Sequence, residues 1–82
     1  MKLVYFASLR ERIGKSEEEC SPPDEVRSVA DLIAWLSAQD EIYAAAFAHG
    51  TARAAIDKRH VKPEAPIAGA REIAFFPPMT GG

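Results

Sequence analysis

The two stretches best suited to β-structure lie at opposite ends of the chain: residues 2–7 read KLVYFA and residues 71–76 read REIAFF. Both are rich in β-branched and aromatic side chains. A chain of 82 residues supports one core only, because so short a polypeptide buries about 60–65% of the surface it exposes when unfolded. Both strands are expected in that core, and the order of elements traced below suits an arrangement with the first and last side by side at the centre of one mixed sheet. Hydrophobic residues at 48%, charged residues at 27% and the lack of a low-complexity tract place the chain among folded globular domains rather than disordered tails.

Between the two ends the sequence supplies its own punctuation. In SLRERIG, Ser8 is positioned to cap a short helical turn, Glu11 follows three residues on, and Gly14 stops it. Residues 15–21, KSEEECS, are polar and extended, and their three glutamates suit a solvated edge strand protected by charge better than a metal site. The clearest helix opens at Ser28, with Asp31 in a capping-box-like position, and runs to about Ala38. Val29, Leu32, Ile33 and Leu36 give it one apolar stripe. Asp40 can cap a second stretch, EIYAAAFAH, ended by Gly50, with Ile42, Ala46 and Phe47 expected inward. Beyond it TARAAID predicts a strand, KRH a turn, VKPEAPIAGA a proline-broken loop and REIAFF the last strand. The order strand, edge strand, helix, strand, strand suits an α+β roll with a helix on one face. Periodicity alone does not separate this from other small α+β folds.

Composition excludes several function classes. A net charge of −2 with scattered basic residues speaks against nucleic acid as the main partner. Cys20 is the single cysteine, so no internal disulfide can form, and two histidines offer no zinc-like spacing. A reducing, cytosolic setting is expected, with no resident metal. Cys20 also lacks a companion histidine in a recognisable pattern, which leaves a thiol enzyme unsupported. The opening MKLVYFASL is broken at once by Arg10, Glu11 and Arg12, so it is a strand and not a signal peptide. No stretch approaches the roughly 18–20 apolar residues of a membrane span, and a soluble protein without a membrane partner is expected.

The end of the chain, FFPPMTGG, calls for a separate explanation. Strand alternation sends one of Phe75 and Phe76 into the core and the other outward. Pro77 and Pro78 end the sheet pairing, since proline gives no N–H to a ladder and fixes its own φ, and together they launch a stiff extended segment. The chain thus divides into a domain at 1–76 and an extended tail at 77–82 that can reach roughly 20 Å. Glycines at 81 and 82 fit a channel too narrow for any side chain and leave the terminal carboxylate unhindered. The alternative is an ordinary frayed end.

VYFASLRERIGK near the start, VADLIAWL in the helix and EIAFFPPMTGG at the end together resemble the small subunit of molybdopterin synthase, the MoaD family of ubiquitin-like sulfur carriers. The resemblance runs over essentially the whole chain. It implies a β-grasp (ubiquitin-like) fold, in line with the element order above. It also implies that a ubiquitin-activator-like adenylating enzyme uses ATP to turn the Gly82 carboxylate into an acyl-adenylate, and that a sulfur donor protein then leaves a thiocarboxylate there. The tail next enters the large synthase subunit, where the sulfur attacks cyclic pyranopterin monophosphate. On this resemblance Gly82 is the reactive residue, Gly81 permits threading, and Pro77, Pro78, Met79 and Thr80 set the tail's direction and length. The resemblance further implies that the chain binds no cofactor, supplies no catalytic side chain, is inactive alone and assembles as a heterotetramer of two small and two large subunits.

Phe6 and Phe76, with His60, are expected to form an apolar docking patch, although strand alternation allows either phenylalanine to be ordinary core. Arg10 either pairs with an acidic group of the activating enzyme or is simply solvated. The family's acidic Gly-Asp-Glu turn is replaced by Gly69-Ala70-Arg71-Glu72, which moves the turn glycine and reverses a local charge. Asp57 stands where many relatives carry asparagine, and both suit a turn. Two other readings share the fold: a sulfur carrier for thiazole synthesis or tRNA thiolation, and a non-covalent interaction module with an incidental tail.

Overall fold

A computed structural model describes residues 1–78. Five strands form one sheet in the order β2-β1-β5-β3-β4: β1 is Lys2–Tyr5, β2 Glu17–Glu19, β3 Arg53–Ile56, β4 Arg59–Val61 and β5 Glu72–Phe76. Three helices, α1 (Ala7–Ile13), α2 (Val29–Gln39) and α3 (Glu41–Ala46), accompany it. The two terminal strands do meet at the centre. β1 and β5 run parallel with Leu3 opposite Ile73 and Tyr5 opposite Phe75, and all four of these side chains are essentially inaccessible to solvent. Because side chains alternate along a strand, this register assigns one face of the central strands to the core. Leu9, Val29, Leu32, Leu36 and Phe47 from the helical segments complete that core.

The first turn of α2 shows how the loop before β5 is tied in. A helix leaves its first N–H groups without internal partners, and here three of them find one. The N–H of Val29 donates to the Ala65 carbonyl at 3.0 Å, that of Ala30 to the Pro63 carbonyl at 2.8 Å, and that of Asp31 to Ser28 Oγ at 3.1 Å. The Asp31 carboxylate returns to accept from the Arg27 N–H at 3.1 Å, so the expected cap at Ser28 is present. Asp40 caps α3 by accepting from the Ile42 N–H at 2.9 Å. Gly14 ends α1 with φ 83°, a conformation that glycine adopts without the steric cost of a Cβ. Gly69, at φ 77°, likewise makes the turn into β5.

Four local expectations need correction. Ser8 does not cap α1: the N-cap is Phe6, with no side-chain bond, because the chain leaves β1 extended through Phe6 and turns sharply at Ala7, φ 51°. The Phe6 carbonyl then accepts from both Leu9 and Arg10, leaving Ser8 already inside the first turn. Ile42 does not pack inward but is 48% exposed. The inward stripe of this segment runs through Tyr43, Ala46 and Phe47, which puts Ile42 one residue off the face. α3 also ends at Ala46 with Phe47 as its cap, several residues before Gly50. Finally, KRH is not a turn. Asp57 and Lys58, at φ 47° and 71°, form a two-residue hairpin turn of the primed kind, and Arg59 and His60 belong to β4, a fifth strand.

No helix among the described residues is long and apolar enough to cross a membrane.

Candidate functional site

The end of β5 and the face of the sheet turned away from the helices define the site. Phe75 is fully buried, with its ring stacked 6.1 Å from Tyr5 and edge-on to Phe47 at 5.3 Å. Phe76, one residue on, must point to the opposite face, and it is half-buried there. Phe6 continues β1 past Tyr5, and its N–H donates to the Phe75 carbonyl at 3.0 Å. This sets Phe6 alongside Phe76 on the outer face, where it is 48% exposed.

His60 reaches the same place from β4. Its ring centre lies 5.0 Å from that of Phe76 at an interplanar angle of 52°. The strand between them makes this possible, because beside His60 β3 presents the small Ala55, opposite both Ala74 and His60, with Arg53 one step along the same face opposite Phe76. Ala55 is 7% exposed yet lies outside the main core cluster, as expected of a small side chain roofed by its neighbours' rings. The structure thus brings Phe6, Phe76 and His60 onto one face, with Val4 and Ala74 half-buried among them. Isolated exposed apolar side chains are unremarkable, but a contiguous set is the mark of an interaction surface.

The chain leaves this face at its prolines. The β3–β5 pairing ends at Arg53 opposite Phe76, and Pro77, lacking an N–H, cannot extend it. Pro77 borders a cleft of about 80 Å³ with Ser8, Arg12, Phe47 and His49. Pro78 borders a wider one of about 310 Å³ with Val29, Ile33, Val61 and Pro63. Gly50, Thr51 and Ala52 wall both clefts, so the loop after α3 flanks the tail's point of departure. Met79, Thr80, Gly81 and Gly82 lie outside the described residues. Arg10 is exposed on α1, one turn beyond Phe6, whose carbonyl accepts its N–H at 3.3 Å. Its side chain forms no ion pair among the described residues.

Two features were not expected from the residues. The three glutamates of β2 do form an edge strand, but the middle one is not merely solvated. Glu18 stands opposite Leu3 and so turns to the helix-covered side. There its carboxylate accepts from Tyr5 Oη at 2.7 Å, Tyr43 Oη at 2.6 Å and Lys15 Nζ at 3.0 Å. Burial alone would raise the Glu18 pKa, yet the bonds from Tyr43, Tyr5 and Lys15 outweigh it and hold the carboxyl below its usual range. Burial, reinforced by Glu18, pushes both tyrosine hydroxyls upward. The second feature is Asp57, whose Oδ1 accepts from the N–H groups of Arg71 and Glu72, each at 3.0 Å. Arg71 enters this clamp through its backbone, and its side chain is exposed. Cys20 is half-buried, and burial followed by the nearby Glu18 raises its thiol pKa, which disfavours the reactive thiolate.

A mixed sheet with parallel terminal strands at its centre and helices packed on one face defines a β-grasp, or ubiquitin-like, protein. The sequence matches the ThiS family over residues 3–82, and the chain belongs to that family, among its MoaD-like ubiquitin-like sulfur carriers. It is 33% identical to the molybdopterin synthase sulfur carrier subunit of Escherichia coli strain K12, covering 100% of this chain and 99% of the relative. Two solved structures share the fold. A putative molybdopterin converting factor subunit 1 from Pyrococcus furiosus superposes with a TM-score of 0.73 at 26% identity, covering 95% of each chain. SAMP1 from Haloferax volcanii gives 0.72 at 21% identity over 100% of this chain and 98% of its own.

Proposed function

We infer that this chain is the sulfur-carrying subunit of a cytosolic molybdopterin synthase. The observation that carries the reading is the full-length match to a carrier of that name, which extends through Gly82. The chain's own geometry suits the role. An apolar face of Phe6, Phe76 and His60 lies where the chain leaves the sheet, so a partner that docks there receives the segment beginning at Pro77.

The chemistry follows from the terminal group. A carboxylate is a poor acyl electrophile, so an adenylating enzyme couples the Gly82 carboxylate to ATP, releasing pyrophosphate and leaving an acyl-adenylate. Sulfide-level sulfur from a donor adds to that carbonyl carbon and AMP departs, giving the thiocarboxylate. In the large subunit the sulfur is transferred to cyclic pyranopterin monophosphate and water restores the Gly82 carboxylate. Two such deliveries complete one dithiolene, in keeping with a heterotetramer of two small and two large subunits. The groups that stabilise developing charge in these steps belong to the partners.

The test is to append a single residue after Gly82. Sulfur loading and transfer should be abolished while the thermal unfolding transition is unchanged, because the added residue blocks the acyl group without touching the core. Sulfur transfer by the extended chain would contradict the mechanism, and full binding and biological activity after deletion of Gly81 and Gly82 would favour a non-covalent module instead.

A further inference from the structure

The cations of this chain are partnered unevenly across the sheet. At the β2 edge the N-terminal ammonium meets Glu19 at 2.9 Å, Lys2 meets Glu17 at 3.2 Å and Lys15 meets Glu18 at 3.0 Å. At the opposite edge β4 carries Arg59 and His60, flanked by Lys58 and Lys62, with Arg53 on the adjoining strand. Among the described residues none of these makes an ion pair. The one carboxylate in this stretch, Asp57, is engaged by the backbone of Arg71 and Glu72. Residues 53–62 hold four cations (Arg53, Lys58, Arg59, Lys62) against one anion, a net of +3, which leaves −5 for the rest of a chain whose total is −2.

The same edge is open to hydrogen bonding. Among the described residues β3 is the only strand beside β4. The two-residue turn at Asp57 and Lys58 makes Ile56 and Arg59 the hydrogen-bonded pair of the hairpin, so the next residue, His60, directs its N–H and C=O away from β3. On the helix side of β4 runs an open cleft of about 570 Å³ lined by Ile56, Asp57, Arg59, Val61, Ala65 and Pro66. On the outer side His60 leans on Phe76, so the apolar face reaches this edge without a break.

We propose that β4 receives an extended, acidic segment of a partner protein as a sixth strand of the sheet. Side chains of an added strand alternate between its two sides. Those on the cleft side meet Arg59 and are acidic, while Lys58 and Lys62, one at each end of β4, add positive charge along the edge. Those on the other side continue the Phe6, Phe76 and His60 surface and are apolar. A protein strand fits better than a nucleic acid, because it satisfies the outward N–H and C=O of His60, and a chain of net charge −2 lacks the broad basic surface that phosphate backbones require.

The experiment is an NMR titration of the isotope-labelled full-length chain with a synthetic peptide of about ten alternating glutamate and valine residues, long enough to pair along the edge. A lysine–valine peptide and a single-stranded oligonucleotide serve as comparisons. The expected result is a set of amide shifts centred on Arg59, His60 and Val61, caused by the glutamate peptide alone and diminished by salt. Lys58→Glu together with Lys62→Glu, with unfolding transitions matched to the parent, should weaken binding about tenfold. No shift at millimolar peptide, an equal response to the lysine peptide, or tighter binding of the oligonucleotide at the same amides would overturn the proposal. The readout does not involve Gly82, so its failure and a failure of the sulfur-carrier reading are distinguishable.

Discussion

Phe75 and Phe76 are neighbours with opposite tasks, and replacing each by alanine should separate stability from partner binding. Phe75 is fully buried between Tyr5 and Phe47. Deleting its ring removes the transfer free energy of the lost atoms and opens a cavity, at a cost of about 3–5 kcal/mol. A domain of 82 residues has about 4–12 kcal/mol in total, so Phe75→Ala should lower Tm by at least about 12 °C or leave the chain unfolded. Phe76 is half-buried on the outer face, against His60. Its removal should cost about 1 kcal/mol of stability, the scale of an ordinary substitution. As an aromatic anchor at the centre of the proposed docking face it should cost about 2 kcal/mol of binding, a weakening of about 30-fold. Thermal unfolding by circular dichroism and calorimetric titration against the synthase large subunit measure the two quantities. A Phe76→Ala variant as unstable as Phe75→Ala, or one that binds the large subunit within twofold of the parent, would refute the assignment of faces.

Two further predictions concern the polar contacts. Glu18→Gln weakens the bonds to Lys15, Tyr5 and Tyr43 and should destabilise the domain by about 1–2 kcal/mol near neutral pH, since bonds to a charged acceptor are the stronger kind. The folded pKa of Glu18 is lowered, so its contribution is present above the unfolded value of about 4.3 and is lost as pH falls through the folded value. The gap between the melting curves of parent and variant should therefore shrink as pH falls below about 4.3, and a gap of the same size in strong acid would count against the ion-paired carboxylate. Asp57→Ala should lower the urea midpoint by the equivalent of about 1–2 kcal/mol with m unchanged, because it frees two backbone N–H groups, whereas Asp57→Asn keeps an oxygen acceptor and should stay close to the parent. Equal losses for both would place the effect in the charge rather than in the clamp.

The sequence announces what depends on spacing and caps and conceals what depends on register. The central pairing of β1 and β5 was legible because each end is apolar and one core must hold both. Ser28, Asp31, Asp40 and Gly14 announce their helix ends through side chains or the lack of one. β4 was not legible: Arg59, His60 and Val61 offer one apolar residue in three, and only the left-handed pair Asp57 and Lys58, neither of them glycine, turns the chain back. Glu17, Glu18 and Glu19 look alike in sequence, and pairing with Leu3 is what selects the middle one for Tyr5 and Tyr43. At the site, alternation foretold that Phe75 and Phe76 part company, but not which goes in. That depends on the parallel register with Tyr5, just as the approach of His60 depends on the small Ala55 between them.

The central claim is that Gly82 carries sulfur as a thiocarboxylate, and intact mass reports on it most directly. The full-length chain is incubated with ATP, a sulfide source and its adenylating enzyme, beside a chain lacking Gly82. The account predicts a gain equal to the mass difference between sulfur and oxygen, confined to the full-length chain and dependent on ATP. An unchanged mass in the presence of a demonstrably active enzyme, or the same gain on the shortened chain, would contradict it.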